Sequence, residues 1–225
     1  MSNIKEIYVG QRYSNLENNL TTLANFCTAL SNKVLLESNL QHYPLTKEEY
    51  QTKVVKDLAL YYEQEHIARK QNPQYNQQHQ SPEETEAYFK RLQEYDLIEL
   101  NEIKQQLESY IQKNCQFNAH RDTTFLDSPE LNSRFTPKSL TTFGGLYKTI
   151  MYQLTPSIAD YFSTGSHLFM PIINNGTYLG ENPSFYHNDR LIAIVCTHEK
   201  YAVLYLDEEE WRHFKALDIP FELDD

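Results

Sequence analysis

The sequence contains little glycine and lacks the glycine-rich loops that bind phosphate groups. Only 6 of the 225 residues are glycine, and neither a Gly-x-Gly-x-x-Gly run nor a Walker loop is present. There is no Gly-x-Ser-x-Gly elbow, and none of the cysteines lies in a signature of the cysteine proteases. No motif therefore identifies a reaction, and we predict no cofactor.

Long apolar runs are also missing. No stretch approaches the roughly 18 consecutive apolar residues that a membrane helix needs, and the N-terminal residues lack the apolar segment of a signal peptide. Cys27, Cys115 and Cys196 are odd in number and far apart, which is typical of reduced thiols. We predict a soluble, cytoplasmic protein without a membrane partner.

Positive charge is scarce in the last third of the chain. Residues 151–225 contain 4 basic and 12 acidic residues, and the whole chain has a formal net charge of −11. Nucleic-acid binding needs the opposite sign, so we predict no nucleic-acid partner. The acidic segment suits a basic protein partner, although acidity also serves solubility alone.

Tyrosine is the abundant aromatic residue, with 17 Tyr against 11 Phe and 1 Trp. A tyrosine ring can pack against apolar groups while its hydroxyl stays in water. Tyrosine is accordingly enriched at protein interfaces. The composition therefore favours a protein that acts by binding.

Capping patterns are the clearest structural signal. Ser14, Thr46 and Ser81 are each followed three residues later by glutamate, the pattern of a capping box. Apolar residues at helical spacing follow each of them. We predict three long helices, the first continuing through Leu35, the second starting at Thr46 and the third ending near Asn114. A polar loop should separate the last two.

The second half of the chain changes from helical to strand-like patterns. Thr136 and Thr155 each precede proline and should start helices, whereas residues 190–197 and 201–207 should form a hairpin. We therefore predict an α+β fold, with an N-terminal antiparallel helical layer of about three long helices in residues 1–115. An α+β region with a small, mainly antiparallel sheet should follow in residues 116–225. The sequence leaves open whether the two regions share one core.

Metal-binding patterns are weak. Glu63-x-x-His66 and Glu210-x-x-His213 have the spacing of di-iron bundle ligands. They belong to different parts of the predicted fold, and no further inward-facing carboxylates accompany them. We predict no metal site.

Four consecutive acids, Asp207–Glu210, lie between a predicted strand and a predicted helix. Asp207 is a good N-cap and Glu210 occupies the third helical position, so the run reads as a capping box. Acids in a first turn also interact favourably with the helix dipole. Glu208 and Glu209 are not needed for the cap, and their charge remains available to a partner.

The segment of residues 174–190 reads as a long polar loop, and loops of this length often carry function. Together with the acidic C-terminal residues it supplies the predicted partner-binding residues. These are Tyr178, Tyr186, His187, Asp189, Glu208, Glu209, Glu210, Asp218, Glu222, Asp224 and Asp225.

Three classes of function remain. The first is a bacterial immunity or antitoxin-type protein that neutralises a basic toxin by covering its active surface. The second is a transferase or hydrolase that uses His187, Asp189, Arg190 and Glu210. The third is a regulatory or scaffold protein whose helices pair with a partner or with themselves, as a monomer or a weak homodimer.

Overall fold

A computed structural model describes residues 4–10, 16–39, 47–72, 81–114, 125–138, 145–174 and 177–223. The chain forms two compact units. Unit 1 comprises residues 1–43, 121–133 and 148–225, and unit 2 comprises residues 44–120 and 134–147.

Within these described ranges, nine strands form one antiparallel sheet that accounts for 34% of the structure. The strand order is β3-β4-β2-β6-β7-β8-β1-β9, and β5 pairs with β6 outside this path. The strands are β1 (Lys5–Gly10), β2 (Lys33–Asn39), β3 (Glu130–Lys138), β4 (Gly145–Gln153), β5 (Ile172–Asn174), β6 (Thr177–His187), β7 (Arg190–Cys196), β8 (Tyr201–Leu206) and β9 (Glu222–Leu223).

Five helices accompany the sheet in the same part of the chain. They are α1 (Leu16–Ala29), α2 (residues 47–71), α3 (Pro82–Asn114), α4 (Pro156–Ser163) and α5 (Glu208–Lys215). A π-helical turn at Tyr50–Val54 interrupts α2, and a 3-10 turn at Gly165–Phe169 follows α4. None of the helices in the described ranges combines the length and the apolar character needed to cross a membrane.

The predicted fold class is wrong in two respects. The N-terminal region is not a layer of three long helices, because β1 and β2 flank α1 and both belong to the sheet. The sheet is large and not small, because segments predicted as helix or loop form strands of it.

Two predicted helical segments are in fact strands. The first predicted helix ends at Ala29, and Val34 lies on β2, where it pairs with Phe185 of β6. Thr136 does not cap a helix but lies on β3, the edge strand at one end of the sheet. An edge strand tolerates the following proline, which has no N–H to donate to a neighbouring strand.

Other helix starts are confirmed. The Thr155 hydroxyl accepts a hydrogen bond from the Ile158 N–H at 3.3 Å, and the Ser81 hydroxyl accepts one from the Glu84 N–H at 3.2 Å. Asp207 forms the predicted capping box. The caps predicted at Ser14 and Thr46 lie outside the described residues.

The core of unit 1 lies between one face of the sheet and three helices. A cross-strand row on that face has no exposed surface, and it consists of Val34, Phe185, Ala193, Leu204 and Ile7. Phe162 of α4 packs on Phe185, with ring centroids 5.2 Å apart. Phe26 of α1 and Phe214 of α5 pack on each other at 5.3 Å. We call this the helix-covered face.

Unit 2 is built around an antiparallel pair of helices, α2 and α3. Residues early in α2 meet residues late in α3, as shown by the hydrogen bond of 3.1 Å from Tyr50 to Glu108. Residues late in α2 meet earlier parts of α3, as shown by Arg69 and Asp96, also 3.1 Å apart.

Candidate functional site

The opposite face of the unit 1 sheet carries a second cross-strand row. Because side chains alternate between the two faces of a strand, the residues beside the buried row point away from the helices. The residue pairing between adjacent strands places six of them in one line across β2, β6, β7, β8, β1 and β9. They are Leu35, Ser184, Ile194, Val203, Tyr8 and Glu222.

This row lies at the centre of what we call the open face. α1, α4 and α5 pack on the helix-covered side, so these three helices do not cover the open face, although Ser184 and Val203 of the row are themselves only 8% and 7% exposed. Ile194 remains 36% exposed at the middle of the sheet, where most β-branched side chains are buried. An exposed apolar side chain inside such a row marks a surface suited to a partner.

Tyrosines surround the apolar centre of the open face. Tyr8 donates a hydrogen bond of 3.0 Å to Glu6, and Tyr205 lies directly opposite Glu6 on the neighbouring strand. Burial raises the pKa of Tyr205, and the negative charge of Glu6 raises it further. Both rings are therefore held in place by one carboxylate, which lowers the entropy lost when a partner binds.

Tyr186 extends this aromatic surface toward β2, where it is paired with Lys33. Burial raises the pKa of Tyr186, with a second contribution from Glu37. The ring is half-buried and keeps its hydroxyl protonated at neutral pH. It can therefore offer a hydrogen-bond donor to a partner.

A polar network fixes the end of the face near Glu37. Asn182 has a left-handed backbone with φ of 50°, and its amide donates to Glu37 at 3.0 Å. Asn182 and Thr197 exchange two hydrogen bonds of 2.9 Å between backbone N–H groups and side-chain oxygens. Nearby, the buried Glu181 contacts His198 at 3.0 Å. These contacts connect β6 to β2 and to the residues that follow β7.

The acidic run 207–210 has two separate roles. Asp207 accepts hydrogen bonds from the N–H groups of Glu209 and Glu210, and the Glu210 carboxylate accepts one from the Asp207 N–H. The same carboxylate is bound by both terminal nitrogens of Arg190. The Glu210 carboxylate is thus engaged in interactions that stabilise the fold, whereas Glu208 and Glu209 are exposed.

The other predicted partner-binding residues are distributed over unit 1. Tyr186 and Glu222 lie on the open face, Tyr178 lies on β6 beside β5, and Asp218 is exposed after α5. Asp224 and Asp225 lie outside the described residues.

The predicted loop 174–190 is largely the strand β6 and its turn into β7. His187 lies at the end of β6 and its Nδ1 is 3.2 Å from the Leu30 carbonyl oxygen. Asp189 is fully exposed in the turn, 3.6 Å from Lys33. Arg190 and Glu210 bind each other. The four residues of the predicted enzyme site therefore have three separate sets of partners and do not converge on one point.

The residues that the sequence prediction missed are Tyr8, Ile194 and Val203. Burial alternates residue by residue around Tyr8 in β1, whereas Ile194 and Val203 lie in β7 and β8, which contain consecutive buried residues. That alternation in residues 5–10 is the signal that could have identified the first strand.

Metal and thiol chemistry find little support in the described ranges. No group of three or more His, Cys, Asp or Glu side chains there is arranged to hold a metal ion. Complete burial raises the pKa of the Cys27 thiol to about 12, so it stays protonated and unreactive at neutral pH.

Comparison with protein-family models, curated proteins and solved structures finds no match for this chain.

Proposed function

We propose that the protein acts in the cytoplasm by binding a basic protein through the open face of unit 1. The activity we propose is that of an immunity or antitoxin-type protein, which neutralises a toxin by covering its active surface. The observation that supports this proposal is the exposed Ile194 on a face that also carries Tyr8, Tyr186 and Tyr205. Interface centres typically combine aromatic anchors with an apolar patch.

The charge around the open face supports a basic partner. Glu6 and Glu222 lie on the β1 and β9 side of the face, and Glu37 lies on the β2 side. Arg190 is neutralised by Glu210. Opposite potentials on two proteins accelerate their encounter and disfavour acidic competitors.

Affinity capture from the native host with three baits tests the proposal. The baits are the wild-type protein, Ile194→Asp on the open face and Leu60→Asp, which introduces the same charge at an exposed position of α2 in unit 2. We expect a basic protein to bind the wild type and Leu60→Asp. With the purified pair, Ile194→Asp should weaken binding at least about tenfold.

Two results would contradict the proposal. One is a partner that binds Ile194→Asp as tightly as the wild type, since the open face would then not be the interface. The other is a captured partner without excess positive charge. A toxin-like reading frame next to the gene would further support the immunity class, whereas a metabolic operon would favour an enzyme.

A helical scaffold is the second candidate, because α3 exposes apolar side chains that a soluble helix usually buries. Tyr95, Leu97 and Ile98 are 64%, 55% and 57% exposed. If the helices pair with a second copy of the chain, light scattering should show a dimer that Ile98→Glu dissociates. A monomer at all concentrations would argue against self-pairing.

A further inference from the structure

Unit 2 contains a cavity of about 400 Å³ between α2 and α3. Its walls are mainly apolar, with Ala59 and Ile67 from α2 and Leu97 and Leu100 from α3. This volume lies within the range of small-molecule sites, and it is more than ten times the roughly 30 Å³ that one water occupies.

The cavity is also lined by a buried carboxylate that is only half satisfied. The Asp96 side chain is 5% exposed, and its Oδ1 receives a hydrogen bond of 3.1 Å from Arg69. Its Oδ2 is fully buried and has no hydrogen-bond partner among the residues that the structure describes. An unsatisfied buried carboxylate oxygen is costly, and a donor from a ligand would remove that cost.

His66 places a second unsatisfied atom beside the first. Its Nδ1 is buried, lacks a hydrogen-bond partner within the described residues, and lies 4.0 Å from Oδ2 of Asp96. That separation is too long for a direct hydrogen bond. Neither atom has accessible surface, so the side chain of Asp96 or His66 must turn towards the cavity before a ligand reaches it. A single small donor group placed between the two atoms would then lie roughly 2.9 Å from each.

The charges around the cavity select a cation. Glu63 lines the cavity, and the charge of Glu99 is close enough to raise the pKa of Tyr62, whose shift is due first to burial. Arg69 and Asp96 neutralise each other, so the excess negative charge near the cavity is that of Glu63 and Glu99. A donor group that enters the cavity thus meets more negative than positive charge.

We propose that this cavity binds a primary ammonium group carried on an apolar body. The ammonium group would donate to Oδ2 of Asp96 and to Nδ1 of His66 in its neutral form, and it would keep a third N–H for a water or a neighbouring oxygen. The apolar body would lie against Ile67 and Leu97. The site does not depend on the proposed function, since that function uses the open face of unit 1.

Two sources supply this chemistry, a free small amine or a lysine side chain of another protein. Titrations of the full chain followed by amide NMR shifts separate them. The probes are 2-phenylethylamine, its neutral analogue 2-phenylethanol, and an acetylated, amidated Leu-Lys-Leu peptide. Preference for the small amine indicates a free amine, and preference for the peptide indicates a lysine side chain.

We expect shifts at residues 59–67 and 93–100, and an affinity for at least one amine probe about tenfold above that for the alcohol. Asp96→Asn should remove this preference and leave the alcohol unaffected. Glu83→Gln, an exposed change at the start of the same helix, should leave all affinities within about twofold.

Because Asp96→Asn leaves Arg69 with a weaker partner, its folding must be verified by circular dichroism. Ala59→Leu provides the second test, since residue 59 is exposed on α2 and a larger side chain there fills the cavity. This substitution should weaken the binding of every probe. Equal binding of amine and alcohol, or amine binding that survives both substitutions, would overturn the proposal. Shifts confined to unit 1 would do the same.

Discussion

The guanidinium group of Arg190 binds both carboxylate oxygens of Glu210, on two elements that are 20 residues apart in sequence. The Glu210 side chain is only 12% exposed. Its hydrogen bonds with Arg190 raise the pKa of Arg190. Because Glu210 also closes the capping box of α5, one carboxylate connects the start of β7 to the start of a helix.

Glu210→Ala should therefore destabilise the protein by about 2 kcal/mol, since it removes half of the capping box and leaves Arg190 unpaired. Glu209→Ala removes an exposed acid from the same turn and should change stability by less than about 0.5 kcal/mol. Urea denaturation of the two variants measures the difference. Equal stabilities of the two variants would show that the Arg190–Glu210 ion pair contributes no more than an exposed surface charge.

Gly180→Ala should be strongly destabilising. A Cβ atom at this position would lie 2.8 Å from the Glu37 carbonyl oxygen and 3.0 Å from the Leu36 Cβ, so β2 and β6 would have to separate. We expect a loss of about 2 kcal/mol or more. Gly10→Ala is the matched control, because its nearest contact would be an ordinary 3.5 Å. Similar melting temperatures for the two variants would refute the close approach.

Alkaline pH should destabilise the fold partly through Cys27. Its pKa is raised from 9.0 to about 12 by burial, so the unfolded chain loses the thiol proton at lower pH than the folded chain. The contribution is complete below about pH 9 and declines as the pH rises towards 12. Denaturation at about pH 8 and pH 10.5 should show a smaller decline in Cys27→Ala. If stability declines equally in the wild type and in Cys27→Ala, Cys27 does not contribute, and the tyrosines whose pKa is raised account for the effect.

The double reversal Glu208→Lys, Glu209→Lys should slow association with the basic partner several-fold at low salt, with little change in dissociation. Both residues are exposed, but Glu208 lies 3.8 Å from Lys5, so the melting temperature of the variant must be compared with that of the wild type. Stopped-flow association across a salt series provides the measurement. Because α5 packs on the helix-covered face, these charges would act on the encounter at long range and not by contact, and unchanged rates at low salt would show that they do not steer the partner.

Local capping chemistry explains the parts of the fold that the sequence predicted well. Asp207, Thr155 and Ser81 satisfy N–H groups within three residues of themselves. Such interactions need no distant partner, so helix starts were placed correctly at all three positions.

The failures occur where distant pairing decides the structure. Val34 and Leu35 continue the helical spacing of α1, yet they lie on β2 because Phe185 and Ser184 pair with them from β6. Pairing across about 150 residues is invisible to local periodicity.

β6 was hidden for a different reason. Gly180 and Asn182 look like loop residues, but the first permits close approach to β2 and the second supplies a left-handed bend. Asn188 and Asp189 form the two-residue turn into β7, and Asn188 has φ of 55°. Asn-Asp is not one of the dipeptides that most strongly signal a two-residue hairpin, such as Asn-Gly or Asp-Gly, so this turn could not be identified from the sequence.

The position of β1 between β8 and β9 has a consequence for how the protein is made. Lys5 pairs with Leu206, so this strand must wait for some 200 residues of synthesis before its partner exists. The contacts of α2 with α3 are far shorter in sequence, and short loops close at lower entropic cost. Unit 2 should therefore fold on the ribosome while β1 is still unpaired. The sheet that carries the open face is the last structure to form.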